Sequence, residues 1–240
     1  MREDDHRTAT TAPPSQTLSR GIRMLEVLAD AREPLTIDEL AGRLGVHRSV
    51  AYRLLRTLEH HRLTVRDAAG RIVLGARLAA LAAGVAHDLQ AEALPELTSA
   101  ANELGMTCFL AVLDGDEIVT LTSVEPRHAV ASVAQRPGSR HAFGLGAPGK
   151  AIAASLPESS WPRALDDGHR SEVDTSRVRG FAISHDEVIV GLRSTAVPLS
   201  LPNGQPAAIA VVYVGSERTD EQIAERLTSA SRAIRSALGG

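Results

Sequence analysis

The sequence predicts an α+β protein of two domains: a helix-turn-helix with a β-hairpin wing, a linker helix, and a larger mixed α/β domain after it. Three observations predict this. Three short amphipathic stretches between Ser15 and His60 lead into two β-prone runs around a glycine turn. An alanine- and leucine-rich stretch follows. Beyond it, helical and alternating segments are interspersed over a span long enough for its own core, in a chain of 240 residues that is 43% hydrophobic.

Residues 1–14 are polar and end in Thr-Ala-Pro-Pro, which predicts a disordered tail. From Ser15, residues Leu18, Ile22, Leu25, Val27 and Leu28 recur at helical spacing until Arg32-Glu-Pro breaks the pattern. Thr36 can cap a second helix, with Glu39 completing a capping box, Ile37, Leu40, Ala41 and Leu44 on its inner side, and Gly45 at its end. A third helix runs from His47 to about His60 on an inner face of Ala51, Leu54, Leu55 and Leu58. Leu63–Arg66 and Arg71–Leu74 read as strands of a hairpin that turns at Gly70. The winged domain is thus 15–74, the linker helix 75–90, and the second domain 91–240. In that domain we expect a helix from Glu92 to Leu104, strands at Thr107–Leu113 and Glu117–Ser123, and a further strand at Val130–Val133. A short helix at Gly149–Leu156, a helix end near Arg177–Val178, strands at Thr195–Leu199 and Ala207–Val214, and a last helix from Asp220 to Leu238 complete the reading.

A helix-turn-helix needs a small residue where its helices touch, a glycine free to take positive φ in the turn, and apolar residues that lock the crossing. Ala41, Gly45, and Leu40, Leu44, Val46, Ala51 and Leu54 supply them. The net charge of −3 is unevenly spread. From Leu35 to Arg77, eight arginines stand against Asp38, Glu39, Glu59 and Asp67, a net of +4, which leaves −7 for the rest. A basic winged domain is expected to meet double-stranded DNA. His47, Arg48, Ser49, Tyr52 and Arg53 lie on the first outward turns of the third helix, where base edges are read, with Arg48 and Arg53 as leading candidates for guanine. Arg56, and Arg66 and Arg71 on the wing, suit phosphate contacts.

Over nearly its whole length the chain resembles the IclR-type family of bacterial transcriptional regulators. Ser19-Arg-Gly-Ile-Arg-Met-Leu, Pro34-Leu-Thr-Ile-Asp-Glu-Leu-Ala and Gly45-Val-His-Arg-Ser-Val-Ala-Tyr-Arg-Leu-Leu resemble its three N-terminal helices. Ala111-Val-Leu-Asp-Gly-Asp, Arg136-Pro-Gly-Ser-Arg, Ala147-Pro-Gly-Lys-Ala and Gly191-Leu-Arg-Ser-Thr-Ala-Val-Pro follow in the family's order. The resemblance implies a GAF-like effector domain, homodimers that often pair into homotetramers, and a repressor or dual regulator of a metabolic operon, whose repression or activation is switched by a small organic effector, frequently an organic acid. It points to Phe143, Gly144, Gly146, Ala147, Ser184, Asp186, Ser194, Val212 and Val214 as effector-binding positions, with Ala147 N–H and Ser194 Oγ as polar contacts. The departures from the family pattern are specific. Gly144-Leu-Gly replaces a histidine-containing segment, and Pro148 removes an N–H. Ser184 replaces a common aspartate, Ser194 a common cysteine, and valines replace small polar residues at 212 and 214. The stretch 157–184 is shorter than usual. We therefore expect an effector with an apolar body and one polar end.

A cysteine-dependent enzyme is the rival of another class, with Cys108 as nucleophile, His128 or His141 as base and Asp114 or Asp116 as orienter. Cys108, however, sits in an apolar alternating strand, where a lone cysteine behaves as a small hydrophobe. An architectural DNA binder without a ligand is the third reading. No cysteine or histidine spacing suits a metal, and no cofactor is expected. The polar opening Met1-Arg-Glu-Asp-Asp-His, with no apolar run after it, predicts neither signal peptide nor membrane anchor, hence a cytoplasmic protein.

Overall fold

The computed structural model describes residues 15–31, 33–128 and 133–239; the expected tail 1–14 and residues 130–132 of the expected strand Val130–Val133 lie outside them. The chain forms two compact units, divided between Val85 and Ala86.

In the first unit, α1 (Gln16–Asp30) starts at Ser15, whose side chain accepts from Leu18 N–H. Helix α2 (Ile37–Leu44) opens with the predicted capping box, in which Thr36 and Glu39 satisfy each other's backbone N–H groups. It ends at Gly45 with φ 64°, a left-handed value that glycine takes without steric cost. Helix α3 (Arg48–His60) follows at once. Met24, Leu40, Ala51, Leu55 and Ile72 have no exposed surface and tie the three helices to the wing. Each large apolar side chain buried there contributes roughly 1.5–3 kcal/mol. The wing pairs β1 (Thr64–Arg66) antiparallel with β2 (Ile72–Leu74), and Leu35 exchanges backbone hydrogen bonds of 3.2 and 2.7 Å with Ile72 on its other side. Gly75 closes the hairpin against the turn that follows α3: a Cβ there would lie 2.2 Å from the Arg62 carbonyl oxygen. A short helix α4 (Arg77–Ala82) follows.

The second unit begins with α5 (His87–Leu104). The expected continuous linker helix over 75–90 is interrupted: α4 stops at Ala82, and Ala86 takes φ 48° before α5 starts. Helix α5 also begins before the expected Glu92, because it runs through Pro95. A start at Glu92 would leave the proline in the first turn, where no N–H is needed. Instead α5 buries Leu89, Ala93 and Leu97 on one stripe, so packing overrides the missing hydrogen bond.

Strands β3 (Thr107–Asp114), β4 (Glu117–Val124) and β5 (Arg140–Ala142) precede α6 (Gly146–Ser155), which starts ahead of the expected Gly149. Then come α7 (Asp167–Arg179), β6 (Ala182–His185), β7 (Arg193–Ser200), β8 (Pro206–Tyr213) and α8 (Asp220–Ala237). The six strands form one antiparallel sheet in the order β5-β4-β3-β8-β7-β6. Its two faces follow the strand alternation. Cys108, Leu110, Val112, Ile209 and Val211 pack against α5 and α8. Phe109 and the small residues Ala111, Ala196, Ala208 and Ala210 face α6. Alanines on both partners let α6 lie close to the sheet, and the larger Phe109 and Val212 flank its N-terminal end.

Candidate functional site

On α3 the buried and exposed residues separate cleanly: Ala51, Leu54, Leu55 and Leu58 face inward, while Arg48, Ser49, Tyr52, Arg53 and Arg56 are exposed. His47 precedes the helix and accepts from Ser49 N–H through Nδ1 (3.3 Å), with Ser49 Oγ 2.9 Å away. Arg48 Nε lies 3.2 Å from Asp38 of α2, an ion pair in which both side chains are 65% exposed. Such a pair is weakly held in water. Among the described residues, the side chains of Arg53 and Arg56 carry no hydrogen bond or ion pair. The wing arginines are more constrained. Arg66 bonds Glu59 (2.9 Å) and the Gly70 carbonyl (3.3 Å), and Arg71 bonds the Pro34 carbonyl (3.3 Å). The result is an arginine-rich face with free guanidinium groups at its centre and braced ones on the wing, which suits base reading flanked by phosphate contacts.

The second unit holds a cleft of about 430 Å³, mouth included, where the start of α6 meets the ends of β6, β7 and β8. Ser184, Ser194 and Val212 sit side by side across three strands. Phe109, Pro148 and Leu192 add apolar walls, and Val188 and Ile189 come from the 186–191 loop. Gly146 N–H donates to Glu187 Oε2 (3.0 Å) and Ala147 N–H to Ser184 Oγ (3.1 Å). Ser194 Oγ donates to the Val211 carbonyl (2.8 Å). Glu187 also pairs with Lys150, which is buried on α6 and pairs in turn with Glu172 of α7. His141 of β5 reaches the same cleft; its Nε2 is buried and has no hydrogen-bond partner. Burial, partly offset by the nearby Glu187 carboxylate, holds the His141 pKa below its ordinary value, so the ring is neutral near pH 7.

A family model described as the IclR helix-turn-helix domain matches residues 17–68, and one described as the bacterial transcriptional regulator IclR C-terminal domain matches 82–237. This chain belongs to the IclR family of bacterial transcriptional regulators. It is a DNA-binding regulator with an effector domain, and members of this family are regulators rather than enzymes. The transcriptional repressor IclR of Escherichia coli strain K12 is 27% identical over 261 residues, covering 97% of this chain and 93% of the repressor. The crystal structure of an IclR-type regulator from Alicyclobacillus acidocaldarius is 26% identical and superposes with a TM-score of 0.81 over 95% of this chain and 100% of its own. An IclR homologue from Microbacterium hydrocarbonoxydans, crystallised with 4-hydroxybenzoate, shares the fold at 22% identity, with a TM-score of 0.78 over 93% of this chain and 99% of its own.

Of the effector positions expected from the IclR resemblance, the cleft brings together Gly146, Ala147, Ser184, Ser194 and Val212. It does not include the others. Phe143 is buried edge-on against Trp161, with ring centroids 5.9 Å apart. Gly144, at φ 79°, lies against Leu165, where an added Cβ would come within 2.4 Å of its side chain. Asp186 closes its own loop by accepting from Gly191 N–H (2.5 Å). Val214 lies past the end of β8 and is 60% exposed, so the strand alternation that would turn it inward no longer applies. The two polar contacts expected for an effector are engaged within the protein, Ala147 N–H by Ser184 and Ser194 Oγ by Val211. Sequence reasoning missed Gln135, Glu187 and Arg193, and considered His141 only as an enzymatic base. Only the long-range pairing of β4 with β5 brings His141 opposite Ile118. The thiol that the rival enzyme needs is fully buried and pushed up to about 12, so Cys108 is an inert core residue. Among the described residues, no cluster of potential metal ligands forms, and no helix is long and apolar enough to cross a membrane.

Proposed function

We infer that this regulator acts in the cytoplasm as a homodimer that pairs into a homotetramer, binds a pseudo-palindromic operator, and represses a metabolic operon until a small organic effector enters the α6 cleft. The observation that carries this reading is the exposed Arg53–Arg56 side of α3, on a unit whose Leu35–Arg77 stretch has a net charge of +4. One winged unit neutralises few phosphates, so two are needed for tight binding, and a two-fold protein reads a two-fold site. The repressor function of the Escherichia coli relative and the 4-hydroxybenzoate held by the Microbacterium hydrocarbonoxydans homologue support the regulatory role and the effector class. Residues 15–74 act as the DNA reader, 75–90 as the connection, and 91–240 as sensor and assembly domain. Effector binding changes operator affinity by favouring one of two states of the dimer.

Selection of duplexes from a random pool, followed by footprinting and mass measurement of the complex, tests the reading. The expected result is one enriched two-fold symmetric site occupied by two or four chains. Enrichment no better than bulk DNA, or a single chain on an asymmetric site, would reject it.

A further inference from the structure

The cleft has few means of holding an anion. Of the first N–H groups of α6, Gly146 serves Glu187, Ala147 serves Ser184, and Pro148 has none. The Ser194 hydroxyl proton goes to the Val211 carbonyl, and Gln135 Nε2 donates to Thr120 Oγ1 (2.8 Å). The charge beside the cleft is also unfavourable. Lys150 is paired with both Glu172 and Glu187, so that cluster keeps one surplus negative charge. Among the described lining residues the one cation, Arg193, is half-exposed and lies 3.5 Å from Asp220. A carboxylate entering here would lose its hydration for a site of the wrong sign with its donors already engaged.

Among the described residues that line the cleft, one buried side-chain polar atom has no hydrogen-bond partner. His141 Nε2 is buried, and a Cβ built on Gly146 would stand 3.4 Å from it, so the atom faces the start of α6. The Leu145 backbone beside the ring favours a proton on the imidazole but does not outweigh its burial. We assign the ring proton to Nδ1, which leaves the unpartnered Nε2 as an acceptor. A buried acceptor left unmade is costly, and a ligand that supplies a donor recovers that cost.

We propose that His141 is the specificity-determining residue of this cleft, which takes an uncharged ligand whose O–H or N–H donates to His141 Nε2 while its apolar body packs on Phe109, Pro148 and Val212. This deepens the effector reading above and rests on it. It narrows that reading from organic effectors in general to neutral hydrogen-bond donors, such as phenols, alcohols or amides, and excludes simple carboxylates.

Calorimetric titration of the full chain at neutral pH with p-cresol, 4-hydroxybenzoate and 4-methylanisole tests it. The first two differ by a carboxylate, and the first and third by a single donor. p-Cresol should bind at least about tenfold tighter than either, the size expected for one buried acceptor left unmade. His141→Phe should lose the preference for p-cresol over 4-methylanisole while still binding both. Pro148→Ala combined with Ser184→Ala, which frees two N–H groups, should strengthen 4-hydroxybenzoate by about tenfold. Equal or tighter binding of 4-hydroxybenzoate by the unaltered chain would overturn the charge selection, and equal binding of 4-methylanisole would overturn the role of His141. Both outcomes leave the cleft as an effector site, and both are read without any variant. If none of the three binds, or if Ser194→Leu, which fills the cleft, leaves p-cresol binding unchanged, the cleft itself is not the effector site and both readings fall.

Discussion

Arg48 and Arg53 differ in their surroundings although neighbouring turns of α3 carry them, and that difference sets what each substitution should do. Arg53 is unpaired among the described residues, whereas Arg48 is tethered to Asp38 in an exposed pair. Arg48→Ala and Arg53→Ala should each cost about 1–3 kcal/mol at operator DNA and less at random DNA, as base-edge contacts do. Asp38→Asn should tighten binding by a few-fold, since an exposed pair is worth about 0.2–1 kcal/mol. Arg66→Ala, by contrast, should weaken all sequences alike and reduce the salt slope by about one. Gel-shift titrations on specific and random duplexes at several salt concentrations distinguish these outcomes; equal losses on both DNAs for all three arginines would reject the division. His141 offers a test on the sensor side. Its pKa is lowered in the fold by burial, so the unfolded chain takes up the proton first as pH falls. Stability should therefore drop as pH falls below the ordinary histidine value of 6.5. His141→Phe should lack that component, so the gap between the two Tm profiles should change below about pH 6.5; parallel profiles would show that the ring is not buried neutral.

At the level of elements, legibility tracked how local the determining interactions were. The α2 capping box and the Gly45 turn are written within a few residues, so Thr36, Glu39 and Gly45 could be read directly. The alternating strands β3 and β8 were legible because each buries residues on both faces of a central position in the sheet. The edges were not. Strand β5 has three residues and pairs only with β4, and β6 is recruited by β7, so neither carries a pattern of its own. Helix α7 buries only Val173 and Ser176, which leaves almost no apolar period to detect, so only a helix end near Arg177–Val178 was expected there. The cleft suffered the same fate, since Glu187, His141 and Gln135 reach it from separate elements. The break between α4 and α5 was hidden by helix-forming alanines, and only the backbone at Ala86 reveals it. Residues Ala83, Gly84 and Val85 are exposed there. Brief digestion with an elastase-type protease should cut first between Ala82 and His87, giving two fragments identifiable by mass; first cleavage within α5 would show that this connection is protected.

For the molecule as a whole, the chain is slightly acidic yet carries a basic reader, so affinity rests on a local concentration of arginine rather than on net charge. Half-sites should then occupy one face of the duplex. Moving them apart by about half a helical turn should weaken dimer binding toward that of a single half-site, and a full turn should restore part of it. Undiminished footprints at every spacing would show that the two readers act independently. The burial of Lys150 has a further consequence. It is the only lysine in the sequence, and it is locked between two glutamates, so every described cation on the DNA-facing unit is an arginine or histidine. Lysine acetylation, a common means of neutralising DNA-binding proteins, therefore has no target among the residues that face DNA, and it could reach Lys150 only by opening the sensor core. Treatment of the folded protein with acetic anhydride at mildly alkaline pH should leave Lys150 unmodified, as read by peptide mass, whereas rapid acylation of Lys150 would show that its cradle opens freely. On the effector reading proposed above, control of this regulator enters through the cleft, and acetylation of lysines on its DNA-binding unit has no part in it, because that unit has none.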